Sequence, residues 1–217
     1  MELPVKEIEE NIPAEQTVLP VTCTAGRGYL FVKRVLDVVL SLVAAVLLAL
    51  PMIIIAVLIR LDSKGPAIFS QDRMGKDGKV FRIYKFRTMK VTAPTNMATR
   101  DIADIEKHIT KLGGFLRRTS IDELPQLYNI IRGDMSIVGY RPVCLTEDKL
   151  NDLRNQYGVF ALRPGITGLA QVHGRDNVNY QEKARMDAEY VSRCGFKLDT
   201  WCLLRTFKVI LTGEGVI

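Results

Sequence analysis

From Val38 to Ile59 the only polar side chain is Ser41, and this apolar run dominates the pattern of the chain. It is long enough to be a membrane-spanning candidate, since about 20 apolar residues cross the hydrocarbon core. A secretory signal peptide is a poor match, because the run begins far from the amino terminus, is too long, and is not followed by a small-residue cleavage site. Pro51 sits mid-run, where it lacks an N–H and clashes with the carbonyl of Leu47, so a kink or break is expected there. Arg27, Lys33 and Arg34 precede the run, and Arg60, Lys64, Arg73, Lys76 and Lys79 follow it. Basic flanks mark cytoplasmic ends, so basic residues on both sides favour a helix-break-helix hairpin over residues 29–60 that enters and leaves by one face. A kinked bitopic helix and a buried core helix are the alternatives. Asp37 is costly deep in lipid, which predicts a place at the interface or a pairing with Lys33 or Arg34.

Ahead of this element, residues 1–28 are polar, carry Pro13 and Pro20, and show no sustained period, the pattern of a flexible extension. Residues 61–217 read as one further domain. Ala67 to Gln71 and Val80 to Met89 predict short strands around an Asp77-Gly78 turn. Ile102, Ile105, Ile109 and Leu112 recur at helical spacing, with Gly113-Gly114 as the expected stop. Leu124, Leu127, Ile130 and Ile131 mark a helix ending near Gly133. Late helices are expected over Leu145–Tyr157, Tyr180–Cys194 and Asp199–Leu211. The last carries Leu203, Phe207 and Ile210 on one face beside Arg205 and Lys208, a pattern that fits packing in the core or lying on a membrane surface.

The formal charge of +6 over 217 residues makes an anionic partner the expectation. Nucleic acid is disfavoured, because the basic residues are dispersed and there is no stacking platform, zinc finger or helix-turn-helix pattern. The four cysteines (Cys23, Cys144, Cys194, Cys202) form no C-x-x-C pair, and the two histidines (His108, His173) stand at no ligand spacing. Zinc and redox motifs are therefore not indicated, and reduced thiols facing the cytosol are the reading.

Chemistry concentrates in Arg117-Arg118-Thr119-Ser120-Ile121-Asp122-Glu123-Leu124-Pro125-Gln126-Leu127. Two carboxylates follow two arginines at an expected helix start. Ser120-x-x-Glu123 fits a capping box and Asp122 fits an N-cap, so capping alone explains the pair. The same place suits catalysis: a helix N-terminus and arginines lower a carboxylate pKa, an ionised Asp attacks phosphorus, and a neighbouring carboxylate holds Mg²⁺. Lys85 and Arg87 fall on one face by strand period and could grip a diphosphate, or could simply protect an edge strand. Arg141, Arg163 and Arg175 stand in Gly/Pro-punctuated loops, where a solvated surface role competes with phosphate binding.

Four blocks in order give the chain a strong resemblance to the monotopic phosphoglycosyl transferases, a family of bacterial sugar transferases. They are Lys85-Phe86-Arg87-Thr88-Met89, Thr119–Gln126, Gly133–Pro142 and Arg163–Arg175, within a match running from near Lys33 to the end. The resemblance implies an α+β, mostly helical fold: a re-entrant membrane helix hairpin broken at Pro51, a small cytosolic catalytic domain with short strands, and interfacial amphipathic helices on the cytoplasmic face of the bacterial inner membrane. It implies Asp122 as nucleophile, Glu123 beside it, and Asp122 or Glu123 as ligand to Mg²⁺. It also implies release of UMP from a UDP-sugar donor, with a polyprenyl phosphate, in bacteria usually undecaprenyl phosphate, as acceptor. Lys85, Arg87, Arg117, Arg141, Arg163 and Arg175 are the expected phosphate contacts. A homodimer is compatible with the pattern, which does not specify one. The chain departs from the family at Leu50 (usually Ser), Tyr140 (usually Pro), Leu169 (commonly Trp) and His173 (commonly Asn). The first bears on the kink, the second on how Arg141 is aimed, and the last two on substrate or lipid contacts.

The function expected is thus the membrane step that opens a lipid-linked glycan pathway such as exopolysaccharide assembly. A membrane-tethered scaffold of the same fold without turnover is the rival from another class, and the intact Asp-Glu pair favours the enzyme. A CDP-alcohol phosphotransferase would need several spanning helices and spaced aspartates, which this sequence lacks.

Overall fold

The computed structural model describes residues 20–94, 102, 104–173 and 179–212. The architecture is α+β and mostly helical, with two small two-stranded sheets. Helices α1 (Arg27–Leu47) and α2 (Ala49–Asp62) carry the apolar run and meet at a bend of 63°. No single helix among the described residues is long and apolar enough to cross a membrane, although the bent pair is when taken together. The bend falls at Leu48, one turn before Pro51, because the proline cannot donate to the carbonyl of Leu47.

This pair inverts the usual rule of burial. The buried residues of α1 are polar, Asp37 and Ser41, and α2 buries only Ile59. Phe31, Leu47, Leu50, Ile53 and Leu61 are more than 60% exposed. Asp37 does not pair with Lys33 or Arg34. Its carboxylate accepts from Ser136 Oγ at 2.7 Å and from the backbone N–H of Ile137 at 3.1 Å. Lys33 instead pairs with Asp199 at 2.7 Å, and Arg34 donates to the carbonyls of Ile130 and Ile131. Lys33, Arg34 and Asp37 thus all hold α1 to the rest of the protein.

Strands β1 (Ile68–Met74) and β2 (Val80–Phe86) pair antiparallel, with Phe69 opposite Lys85 and Arg73 opposite Phe81. The turn between them places Asp77 at φ 56°, as an Asp-Gly signal allows. Helix α3 (Ile105–His108) is a single turn, and α4 (Lys111–Arg118) follows with the Thr110 side chain as its N-cap. The expected stop at Gly113-Gly114 is therefore overturned, since both glycines lie inside α4. A Cβ on Gly113 would stand 2.0 Å from the carbonyl oxygen of Thr88. The glycine serves close packing across the chain rather than helix termination.

Helix α5 (Gln126–Arg132) ends at Gly133, φ 106°. Its buried Asn129 mimics a third strand, donating to Arg82 O at 2.7 Å and accepting from Tyr84 N at 3.1 Å. Strand β3 (Ser136–Val138) pairs parallel with β4 (Gly165–Thr167). Here the backbones nearly touch, and a Cβ on Gly168 would lie 1.9 Å from Gly139 O.

Helices α6 (Asp148–Gln156), α8 (Tyr180–Arg193) and α9 (Phe196–Thr212) agree with the late helices expected from periodicity, with α7 (Leu169–His173) between β4 and α8. Tyr140, Leu150, Val159, Phe160, Ala184 and Val191 form the main core between α6 and α8. A second cluster, Ile59, Phe86 and Leu116, ties α2 to β2 and α4. In α9, Cys202 and Val209 are buried while Leu204 and Phe207 are about two-thirds exposed, so the helix presents apolar residues to both sides. The Ile210 side chain lies outside what is described.

Residues 20–26, expected to be flexible, pack on the body. Val21 N donates to Tyr157 O, and Thr24 Oγ1 to Ser192 O at 2.6 Å. Residues 1–19 lie outside the described part. The four cysteines are free thiols, with Cys23 and Cys194 in hydrogen-bond contact at 3.5 Å.

Candidate active site

Asp122 and Glu123 stand on a single 3-10 turn, Ile121–Glu123, between α4 and α5. Ser120 before it adopts φ 56°, a left-handed conformation uncommon for a residue with a Cβ. The capping explanation fails on this geometry. Neither Ser120 nor Asp122 makes a side-chain cap, and α5 starts only at Gln126, with Pro125 preceding it. Both carboxylates are left for other work.

The structure brings five of the expected residues together. Lys85 Nζ and Arg141 Nη2 both donate to Glu123 Oε1, each at 2.8 Å. Lys85 comes from the end of β2, and Arg141 from the turn after β3. Arg117, in the last turn of α4, donates from Nε to Thr88 Oγ1 at 2.8 Å and acts electrostatically on Asp122. Asp122 itself makes no hydrogen bond or ion pair with any described residue. Three cations therefore face two carboxylates, which leaves net positive charge for an anionic ligand.

The electrostatics differ between the two acids. Burial alone would raise the Glu123 pKa, but the charges and hydrogen bonds of Arg141 and Lys85 outweigh it and hold the group well below the usual carboxylate range. The depression expected for Asp122 falls on Glu123 instead. Burial raises Asp122, helped by the charge on Glu123 and opposed by Lys85, Arg141 and Arg117. Burial also lowers Lys85, against the pull of Glu123. A carboxylate with no hydrogen-bond partner among the described residues, raised above its ordinary pKa, is a better nucleophile than one locked in ion pairs.

Two expected phosphate contacts are placed elsewhere. Arg87 is buried and donates to the carbonyls of Lys64, Ser63 and Ile59 and to Ser63 Oγ, closing the C-terminus of α2. Strand β2 ends at Phe86, so the period-two face of Lys85 does not continue to it. Arg163 donates from Nε to Gly133 O at 2.8 Å, beside Arg34 at the C-terminus of α5. Cations satisfy the unpaired carbonyls at helix C-termini, and both arginines are bonded in that way here. Gly174 and Arg175 lie outside the described residues. His173 sits in α7, bonded to Leu169 O at 2.9 Å and stacked on Trp201.

Arg73 was missed. It lies on β1 with its Nη2 on Gln71 Oε1 at 2.6 Å and Nη1 on Pro142 O at 3.4 Å, next to Arg141 in the chain. The signal was available, because strand pairing puts Phe69, Gln71 and Arg73 on the Lys85 face of the hairpin.

Mg²⁺ takes oxygen ligands, commonly one or two carboxylates with waters and substrate phosphates completing its shell. Adjacent Asp122 and Glu123, one of them unpartnered, fit that donor set. No cluster of three or more His, Cys, Asp or Glu side chains at metal spacing occurs among the described residues, so such an ion would draw its remaining ligands from substrate and water.

Residues 28–213 match the family model described as bacterial sugar transferase. The chain is similar to the galactosyl transferase CpsE of Streptococcus agalactiae, with 40% identity over 87% of this chain and 44% of the relative. It is similar to the undecaprenyl-phosphate galactose phosphotransferase of Salmonella typhimurium, with 36% identity over 88% and 43%. The exopolysaccharide production protein PSS of Rhizobium leguminosarum bv. phaseoli is 37% identical over 86% of this chain and 98% of its own length. The chain thus spans less than half the length of the first two of these relatives, and nearly all of the third. With that match, the chain belongs to the bacterial sugar transferase family.

Proposed function

We propose that the protein transfers a sugar-1-phosphate from a UDP-sugar to a polyprenyl phosphate through a covalent intermediate on Asp122. Asp122 Oδ attacks the sugar-bearing phosphorus of the donor, forming an acyl phosphate as the phosphoanhydride bond breaks and UMP departs. An oxygen of the polyprenyl phosphate then attacks the same phosphorus, releasing Asp122 and giving a polyprenyl diphosphosugar. The observation that carries this reading is the contrast between the two acids: Glu123 is clamped by Lys85 and Arg141, while Asp122 beside it has no hydrogen-bond or ion-pair partner among the described residues.

Lys85, Arg117 and Arg141 are fixed before the donor arrives, so their charge is preorganised for the diphosphate and the leaving phosphate of UMP. Mg²⁺, held by Asp122 and Glu123, would neutralise developing charge on the phosphate oxygens. The names of relatives, among them an undecaprenyl-phosphate galactose phosphotransferase and a UDP-glucose:undecaprenyl-phosphate glucose-1-phosphate transferase, support donor and acceptor classes of this kind.

Helices α1 and α2 fit a hairpin that dips into the bilayer and returns to the cytoplasmic face. Most of their exposed residues are apolar while the buried residues of α1 are polar, the reverse of a helix meant for water. Leu204 and Phe207 of α9, flanked by Arg205 and Lys208, suit the interface. On this reading the reaction runs at the cytoplasmic surface of the inner membrane, where a lipid-borne phosphate and a soluble nucleotide sugar meet.

The test is UMP release by purified protein from a panel of UDP-sugars with Mg²⁺ and undecaprenyl phosphate. Turnover dependent on both lipid and metal, and selective for one sugar, is the expected result. A folded protein silent across the panel, beside an active relative, would favour the scaffold without turnover.

A further inference from the structure

Tyr140, the residue before Arg141, is 1% exposed. Its ring meets Phe160 edge-on with centroids 5.7 Å apart, and the guanidinium of Arg154 lies over it, 5.1 Å from its centroid. Arg154, from α6, donates Nε and Nη2 to Asp187 Oδ2 of α8 at 2.9 and 2.6 Å. Both side chains of the pair are 1% exposed. Arg154 Nη1, Asp187 Oδ1 and the Tyr140 hydroxyl are buried without hydrogen-bond partners.

A buried ion pair with spare atoms left unpaired is an inefficient stabiliser, and apolar residues of similar volume commonly serve as well or better. It does fix orientation. Two hydrogen bonds to one carboxylate oxygen set the plane of the guanidinium, and that plane sets the Tyr140 ring. The backbone there is also held, by Gly139 N to Thr167 O and by Gly165 N to Tyr140 O, each 2.8 Å. Directly after this fixed point comes Arg141, whose side chain reaches Glu123 at 2.8 Å.

We propose that Arg154 and Asp187 are positioning residues, which, through the Tyr140 ring, aim Arg141 at Glu123 and the donor phosphates. The inference rests on the reading of the Asp122 site given above. It assigns the ion pair between α6 and α8 a role in the reaction rather than in stability.

The test replaces the pair with apolar residues, Arg154→Met with Asp187→Leu, which keeps the core filled. The melting temperature is expected to hold while kcat for UMP release falls about tenfold or more, since small misplacements of a phosphate-binding group are costly. KM for the UDP-sugar changes by less than about twofold. In an Arg141→Lys background the same double substitution costs nothing further, because coupled residues are not additive. Equal losses in both backgrounds, or full activity with the pair removed, overturn the proposal.

An arm independent of turnover is side-chain NMR of the arginine Nε–H groups, with the Arg141 signal assigned by its loss in Arg141→Lys. Removing the pair is expected to turn a rigid Arg141 signal mobile, with an order parameter below about 0.6. A signal that stays rigid overturns the proposal whatever the kinetics. Should the unaltered protein release no UMP from any donor, the functional reading fails, and the NMR arm still decides the positioning role. If the double variant does not fold, Tyr140→Leu carries both arms, since it removes the ring that links the pair to the turn.

Discussion

Asp37 of the apolar helix α1 accepts a 2.7 Å hydrogen bond from Ser136 Oγ of strand β3, and the pair is buried. A carboxylate at the head of the apolar run thus ties α1 to the strand that leads into the Arg141 turn. Breaking it takes the side-chain acceptor from the N–H of Ile137 and leaves the Ser136 hydroxyl only the Val138 carbonyl, at 3.0 Å.

Asp37→Ala is accordingly expected to cost about 3 kcal/mol, the scale for losing hydrogen bonds to a charged group. For a chain of this size that lowers the melting temperature by roughly 10 °C. Scanning calorimetry in lipid nanodiscs measures it. A melting temperature unchanged within a degree or two would mean that α1 is held by its other contacts alone.

Arg87 separates a structural from a phosphate-binding role. Arg87→Lys keeps the charge but cannot span the carbonyls of Ile59, Ser63 and Lys64. It is expected to destabilise the fold by about 1–3 kcal/mol, the range for leaving buried groups unpaired, with KM for the UDP-sugar changed by less than about twofold. A large rise in KM at unchanged stability would return Arg87 to the phosphate site.

The two acids predict opposite responses to pH in protein stripped of metal. Glu123 is held below its ordinary pKa by Arg141 and Lys85, so its contribution to stability is present above the unfolded value of about 4.3 and is lost as pH falls through the lower folded one. Asp122 is raised by burial, so its ionised form opposes folding near neutral pH, and that penalty is relieved as pH falls through the raised folded value toward the unfolded value of about 3.9. Asp122→Asn should therefore raise the melting temperature at pH 7 and remove the part of the acid-side gain due to this group. Thermal melts from pH 8 to pH 4 in EDTA would show it. A variant less stable than the parent at pH 7 contradicts the assignment.

Much of this was legible in local pattern. The β1–β2 hairpin, the late helices, the bend near Pro51 and the Asp122-Glu123 pair follow from period, turn chemistry and spacing, because each depends on residues close in the chain. Other features depend on partners far away. Gly113-Gly114 reads as a helix stop, yet Gly113 is required by the carbonyl of Thr88 pressing on α4. Asp37 reads as a charge needing a basic neighbour, but its partner is Ser136, ninety-nine positions on. Arg87 and Arg163 read as loose cations in suggestive places, and only the fold reveals the helix ends that claim them. The division of labour between the acids was equally hidden, since it turns on which one Lys85 and Arg141 reach.

Adduct formation on Asp122 tests the proposed chemistry most directly. Protein incubated with the preferred UDP-sugar and Mg²⁺, without lipid acceptor, is quenched and examined by intact-mass and peptide mass spectrometry. A mass increase of one phosphosugar on the Asp122 peptide, absent in Asp122→Asn and discharged by adding undecaprenyl phosphate, is the predicted result. Steady UMP release by a protein that never carries the adduct, or an adduct that persists in Asp122→Asn, would contradict a covalent aspartyl intermediate.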